Sequence, residues 1–278
     1  MALQKMFVAA AAAAALVLSS GCQTVDTTKS GVVGVDRDQR MMVSAEEVNA
    51  GSAKAYAQMM AEAQKKGVLD KDAAQVARIQ AITKRLIPQT TTFRDDAAKW
   101  PWEVHVITVD EVNAWCMPHG KMAMYSGLIQ KLGATDDELA AVMGHEIAHA
   151  LREHSREQIS RQMGMQLGIG LVGALLGVGE LGQNIAGTVA NVTLNLPKSR
   201  EAETEADRIG VELAARAGYD PMAAVSLWEK MAKLSSSQPP KWLSTHPAHQ
   251  DRIADLRNYA ARVMPLYTAA KGSAAAGK

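Results

Sequence analysis

The run Gly144-His145-Glu146-Ile147-Ala148-His149 constrains this chain of 278 residues more than any other feature. It reads H-E-x-x-H and lies inside an apolar-periodic stretch from about Thr135 to His154. Thr135 followed by Glu138 is a capping box, so the stretch opens with a helix start signal. Residues four apart on a helix share a face, which sets His145 and His149 side by side. Two imidazoles so placed can share one zinc ion, with Glu146 beside it to take a proton from a bound water. A catalytic zinc usually has three protein ligands and an open position, so a third donor must come from elsewhere. A helix over Ser199–Ala217 offers Glu201, Glu203 and Glu205. Glu201 and Glu205 share a face and Glu203 points elsewhere. Spacing alone does not choose among them, and acidic residues in a first turn also complement the helix dipole.

The rest of the chain frames that helix. Hydrophobic residues make up 47% and charged residues 21%, as in a packed globular protein. A net charge of +1 gives no bulk field that would attract nucleic acid. Scarce aromatics (4%) and 15 methionines suggest a helix-rich core. At the start, Lys5 and the apolar run Met6–Leu18 lead into Ser19-Ser20-Gly21-Cys22. This resembles a bacterial lipoprotein signal, with Ser19 where the usual box has Leu. Residues 1–21 would be removed and Cys22 lipidated. Gln23, in place of an inner-membrane-retaining Asp, points to the periplasmic face of the outer membrane. Ordinary secretion into the periplasm is the alternative. Cys116 would then be a lone thiol, expected to be buried.

Residues 22–43 read as a tether, 44–268 as one domain and 269–278 as a flexible tail. Helices are expected over Ser44–Lys66, which opens with a Ser44/Glu47 capping box, and over Asp70–Ile87. Glu103–Val109, Glu111–Met117 and Lys121–Tyr125 read as strands of a small antiparallel sheet, with a turn at Pro118-His119-Gly120. His105 is expected to be structural. A peptidase holds its peptide extended along a strand edge, and Asn113, Ala114 and Trp115 are the candidate edge. The zinc helix should continue to about Gln162. That would put His154 about 140° round from His149, as a structural or supporting residue. The glycine-rich stretch 163–196 reads either as closely packed helices or as an apolar segment that meets membrane or unfolded substrate. Helices are also expected from Asp220-Pro221 to about Leu234 and from Pro247 to about Tyr267.

Taken together, H-E-x-x-H, Ser199-Arg200-x-x-Glu203-x-x-x-Asp207, Asn113-Ala114, Pro118 and Gly127-Leu128-Ile129 resemble the HtpX- and CAAX-prenyl-protease-like family of gluzincin peptidases. The likeness runs over about residues 45–265 and is strongest to the family's periplasmic, BepA- and LoiP-like lipoprotein members. It implies an α+β fold, mostly helical, with a small antiparallel sheet before the active-site helix. It implies one Zn2+ per chain held by His145, His149 and Glu203, with Glu146 as the catalytic base and Asp207 holding a ligating imidazole. Ser244-Thr245-His246-Pro247 with Arg252 matches the family's H-P-x-x-x-x-R element. His246 is thereby a candidate gate over the zinc or a transition-state donor, and Arg252 either adds charge to the same region or pairs structurally. The implied activity is zinc-dependent cleavage of unfolded or misassembled envelope proteins. The other reading is a zinc-containing assembly factor for outer-membrane proteins with little proteolysis. Partners would be polypeptides and, through the N-terminal lipid, the membrane.

Overall fold

The computed structural model describes residues 23–170, 184–235, 240–247 and 251–276. Two short strands, β1 (Gln23–Val25) and β2 (Gln39–Met41), precede helices α1 (Ala45–Lys65) and α2 (Ala73–Leu86). Strands β3 (Glu103–Ile107), β4 (Ala114–Met117) and β5 (Lys121–Tyr125) follow, then α3 (Ser126–Lys131) and α4 (Asp136–Leu151). Among the described residues the remaining α-helices are α5 (His154–Gly170), α6 (Ile185–Leu194), α7 (Arg200–Arg216), α8 (Ala223–Ser235), α9 (Lys241–Thr245) and α10 (Arg252–Ala276). The architecture is mostly helical, with an antiparallel β1–β2 pair and a three-stranded sheet ahead of the H-E-x-x-H helix, as the α+β reading expects.

Helix starts follow local chemistry. Both capping boxes form: Ser44 with Glu47 at α1 and Thr135 with Glu138 at α4. Ser199 caps α7 by accepting from the Ala202 amide. The sheet order is β3–β5–β4. Strands β4 and β5 pair antiparallel across the turn at 118–120, where His119 and Gly120 take φ values of 65° and 83°. The third strand, β3, pairs parallel to β5, so the sheet is mixed. Strand β4 also starts later than its sequence suggests. Ahead of it, the Val109 carbonyl accepts from Gly127 at the head of α3, and the Val112 carbonyl accepts from the Trp242 amide in α9. These carbonyls therefore satisfy helix ends instead of a neighbouring strand.

Three further differences bear on the site. First, the zinc helix does not continue to Gln162. It stops at Leu151, and Glu153 takes a φ of 50°, unusual for a residue with a side chain. Ion pairs from Glu153 to Arg94 and Arg156, at 2.6 and 2.7 Å, brace that turn. Helix α5 then starts afresh at His154. Second, the segment read as a tether is packed from Asp26 onward. Val33 and Val35 join the main core, and Thr27, Thr28 and Gln39 are buried. Its partners are remote in sequence: the Val33 amide donates to Glu212 (3.0 Å) and the Lys29 amide to the Phe93 carbonyl (2.8 Å). Local periodicity cannot register such contacts. Third, α10 carries the expected tail as helix through Ala276. Cys22, the signal-like run and residues 171–183 of the glycine-rich stretch lie outside the described residues. No helix among the described residues is long and apolar enough to cross a membrane.

The crossing of α4 and α7 positions the site. Gly144 and Gly210 meet there backbone to backbone. A Cβ on Gly210 would stand 2.8 Å from the His145 amide nitrogen, and one on Gly144 would stand 2.8 Å from the Gly210 carbonyl oxygen. Because the obstacles are backbone, a methyl group forces the helices apart. We therefore expect Gly210→Ala to cost about 1–3 kcal/mol, by analogy with overpacked cores. It should also weaken metal binding, because His145 and Glu203 sit on opposite sides of the crossing. Thermal unfolding and zinc titration check this; an unchanged unfolding temperature would show that the crossing tolerates the extra atom.

Candidate metal centre

Helix α4 is buried from Glu138 to Leu151, so His145, Glu146 and His149 face protein. His145 and His149 are 4% and 5% exposed, Glu203 is 0% and His246 is 2%. Their ligand-capable atoms all lie within 4.8 Å of one another, a group that could hold a metal ion. The Nε2 atoms of His145 and His149 face each other at 3.0 Å. Glu203 Oε1 is 3.3 Å from His149 Nε2, and Glu203 Oε2 is 3.6 Å from His145 Nε2.

The donor set fits zinc on its own evidence. Both Glu203 carboxylate oxygens and His246 Nε2 are buried without a directed hydrogen-bond donor or acceptor. Buried polar atoms are rarely left so; Glu203 Oε2 has Arg252 Nη1 at 2.7 Å as an ion-pair partner, which leaves Glu203 Oε1 and His246 Nε2 as the two donors that a cation would satisfy. Ligand atoms about 2.0–2.2 Å from one zinc ion stand roughly 3.3–3.6 Å apart, close to the separations found. Burial drives His149 and His246 well below the ordinary imidazole value, so both present lone pairs.

Each ligand is held from behind. His145 Nδ1 donates to Asp207 Oδ1 at 2.9 Å, which leaves Nε2 as its free lone pair. Both oxygens of Asp207 in turn accept from Arg252, at 2.7 and 2.8 Å. Arg252 Nη1 also lies 2.7 Å from Glu203 Oε2, and its guanidinium stacks 3.8 Å over the Trp228 ring. Arg252 thus ties Asp207 to Glu203, one helical turn apart on α7. His149 is backed differently. Its Nδ1 lies 2.7 Å from His154 Nδ1, and His154 Nε2 lies 3.0 Å from Glu205 Oε2. The break at Glu153 is what turns His154 onto His149. Burial alone would raise the Glu205 carboxyl; hydrogen bonds from His154, Arg37 and Arg152 outweigh it and hold Glu205 well below its ordinary value.

Glu146 points into the same space. Trp242 Nε1 donates to its Oε1 at 2.8 Å, and His246 Nε2 lies 3.5 Å from the same oxygen. Burial pushes the Glu146 carboxyl up to about 7, against the pull of His145 and Trp242. His246 stacks on Trp242 with ring centroids 4.8 Å apart. Lys198 is a further buried charge nearby. Its Nζ donates to the Val192 carbonyl at 2.9 Å, and burial brings it down to about 8.

The structure therefore brings together His145, Glu146, His149, Glu203, Asp207, His246 and Arg252. Asn113, Ala114 and Trp115 lie at or beside β4, the edge strand packed on α4. Trp115 itself turns to a separate cluster with Tyr56 and Met117, while Cys116 is buried on the α4 side, where burial and then Glu146 raise its thiol. His105 is occupied on both ring nitrogens by Asp70 and Glu103, away from the metal cluster. Reading by motif misses Trp242, Lys198 and Arg37, which carry no local signal. Glu205, one of the three candidate donors, faces His154 instead of the histidine pair.

Comparison with known proteins agrees with this geometry. A β-barrel assembly-enhancing protease of Escherichia coli (strain K12) is 32% identical over 62% of this chain and 37% of its own length. The mitochondrial metalloendopeptidase OMA1 of Arabidopsis thaliana is 38% identical over 54% of this chain and 30% of its length. For OMA1 of Bos taurus the values are 32%, 72% and 40%. The chain thus matches less than half the length of each of these relatives. Residues 73–260, which include every donor of the buried cluster and both groups that brace His145 and Glu203, match the model of peptidase family M48, and the chain belongs to that family.

Proposed function

We propose that the protein is a zinc-dependent endopeptidase of the bacterial cell envelope that cleaves unfolded or misassembled envelope proteins. The observation that carries the chemistry is the buried set His145, His149, Glu203 and His246 with Glu146 beside it. In this reading His145, His149 and Glu203 are the metal ligands, Asp207 fixes His145, and Arg252 fixes Asp207 and Glu203. A bound zinc ion supplies Lewis-acid polarisation of the scissile carbonyl and of water. Glu146 is the general base. Its Oε1 is engaged by Trp242, so Oε2 takes the proton of the attacking water and passes it to the departing amine. The edge of β4 at Asn113–Trp115 aligns the peptide by main-chain hydrogen bonds.

Support for the envelope setting comes from the E. coli relative, whose name ties it to β-barrel assembly, and from the lipoprotein-like run ending at Cys22. On that reading the protein sits at the periplasmic face of the outer membrane, held by lipid on Cys22. The OMA1 relatives carry the same domain in mitochondria.

One observation favours a low-turnover resting state. His246 Nε2 supplies a fourth donor, and four protein ligands close a zinc site to water and substrate. The Trp242 amide holds the same segment to the Val112 carbonyl, just ahead of the β4 edge. His246 and Trp242 then act together as a gate. We expect His246→Ala to keep zinc through three ligands and to raise chelator-sensitive cleavage of unfolded casein several-fold. Zinc binding without cleavage in both the wild type and His246→Ala would overturn the peptidase reading in favour of an assembly factor.

A further inference from the structure

We propose that His154 and Glu205, clamped by Arg37 and Arg152, are positioning residues that fix the tautomer and orientation of His149. The proposal rests on His149 being a metal ligand through Nε2. That nitrogen faces His145 Nε2 and Glu203, so Nδ1 must carry the proton of a neutral His149. Among the described residues, the polar atom placed to take it is His154 Nδ1, 2.7 Å away. His154 must then be protonated at its other nitrogen, and that Nε2 faces Glu205 Oε2 at 3.0 Å. A carboxylate only accepts, which fixes the direction of the whole chain. Protons thus point outward from the metal: His149 donates to His154, and His154 donates to Glu205.

The terminus of this chain is over-determined. Arg152 Nε donates to Glu205 Oε2 at 2.9 Å, and Arg37 Nε donates to Glu205 Oε1 at 2.6 Å. The other two Arg37 nitrogens reach Glu157 at 2.7 and 2.9 Å. Gln39 donates to Glu157 and to the Arg152 carbonyl, both at 2.7 Å, and accepts from Thr27. His154, Arg152 and Gln39 are 2%, 0% and 0% exposed, so these three are shielded from bulk water. The N-terminal segment 26–43 is therefore part of the support of one metal ligand, reached through Arg37. The other histidine ligand has its own support in Asp207 and Arg252, so the two ligands are braced independently.

The test is zinc affinity of the full-length protein, measured by chelator competition, alongside the unfolding temperature of the metal-free protein. His154→Phe keeps bulk but cannot accept the His149 proton. It should weaken zinc binding about 10–100-fold, the usual effect of losing such a partner. His154→Gln, whose side-chain oxygen can accept, should recover part of that loss. Glu205→Gln should weaken binding by a smaller factor. In zinc-loaded wild type, nitrogen NMR of the imidazoles should place the His154 proton on Nε2. Wild-type protein that binds no zinc would sink the metal reading itself. Tight wild-type binding with His154→Phe within two-fold of it, or a His154 proton on Nδ1, would overturn the positioning role alone. Should His154→Phe fail to fold, Glu205→Gln and the NMR assignment decide. Unchanged zinc affinity in Arg37→Gln would overturn the part given to the N-terminal segment.

Discussion

Replacing Glu146 with Gln should leave zinc and fold in place and lower cleavage by about 10²–10⁴-fold, the range expected when a general base is removed. The substitution is close to isosteric, and the amide oxygen of Gln can still accept from Trp242 Nε1, which donates to Glu146 Oε1 at 2.8 Å. What is lost is a basic oxygen. Folding should not suffer. Glu146 is 3% exposed and burial pushes its carboxyl up to about 7, so the charged form is poorly solvated where it stands. A neutral amide removes that burden, and the metal-free Gln protein should unfold at the wild-type temperature or slightly above it. Cleavage of unfolded casein, zinc content and thermal unfolding together make the check. A Gln variant that cleaves like the wild type would show that Glu146 is not the base. An inactive variant that still binds polypeptide also offers a way to capture substrates.

The helical frame of this protein is legible because its signals are local. Ser44/Glu47 and Thr135/Glu138 sit three residues apart, and each forms the capping box its spacing announces. His145 and His149 are four apart on one helix, so their shared face follows from helix geometry. Glu203 is legible only through resemblance, since Glu201, Glu203 and Glu205 are equivalent as a string. The structure separates two of them by what they touch: Glu203 faces the histidine pair, while Glu205 faces His154 and two arginines. The packing of 26–43 stays hidden for a related reason. Its anchors, Glu212, Glu157 and Arg152, lie more than a hundred positions away, and a short irregular segment has no period to betray a buried face. The break at Glu153 is hidden too. A glutamate in a left-handed conformation runs against local preference and is held by its ion pairs with Arg94 and Arg156. That one backbone departure carries His154 onto His149, where a continuous helix would have taken it away.

Arg252 supports the largest expected effect on stability. Arg252→Met should lower the stability of the metal-free protein by about 3–5 kcal/mol, the usual result of breaking a buried charge pair from one side. The reason is electrostatic. Arg252 is 1% exposed and stands between Asp207 and Glu203, which are 6% and 0% exposed. Removing it leaves two carboxylates one helical turn apart with no cation between them. At about 2–4 °C per kcal/mol for a domain of this size, the unfolding temperature should fall by roughly 10 °C. Zinc changes the outcome in a way that identifies the cause. A bound cation gives Glu203 a new partner, so the loss should be smaller in the zinc-loaded protein and should widen when chelator is added. Arg252→Lys should recover little, because a single ammonium cannot donate to both Asp207 oxygens while reaching Glu203 and stacking on Trp228. The measurement is thermal unfolding of the two variants with and without chelator. A metal-free Arg252→Met protein that melts within about 2 °C of wild type would mean that Asp207 and Glu203 do not need the guanidinium. A loss of equal size with and without zinc would mean that Arg252 matters for packing on Trp228 more than for charge. The expected pattern, in contrast, makes the guanidinium and the metal alternative partners for Glu203, and it accounts for an arginine buried this deep beside the cluster.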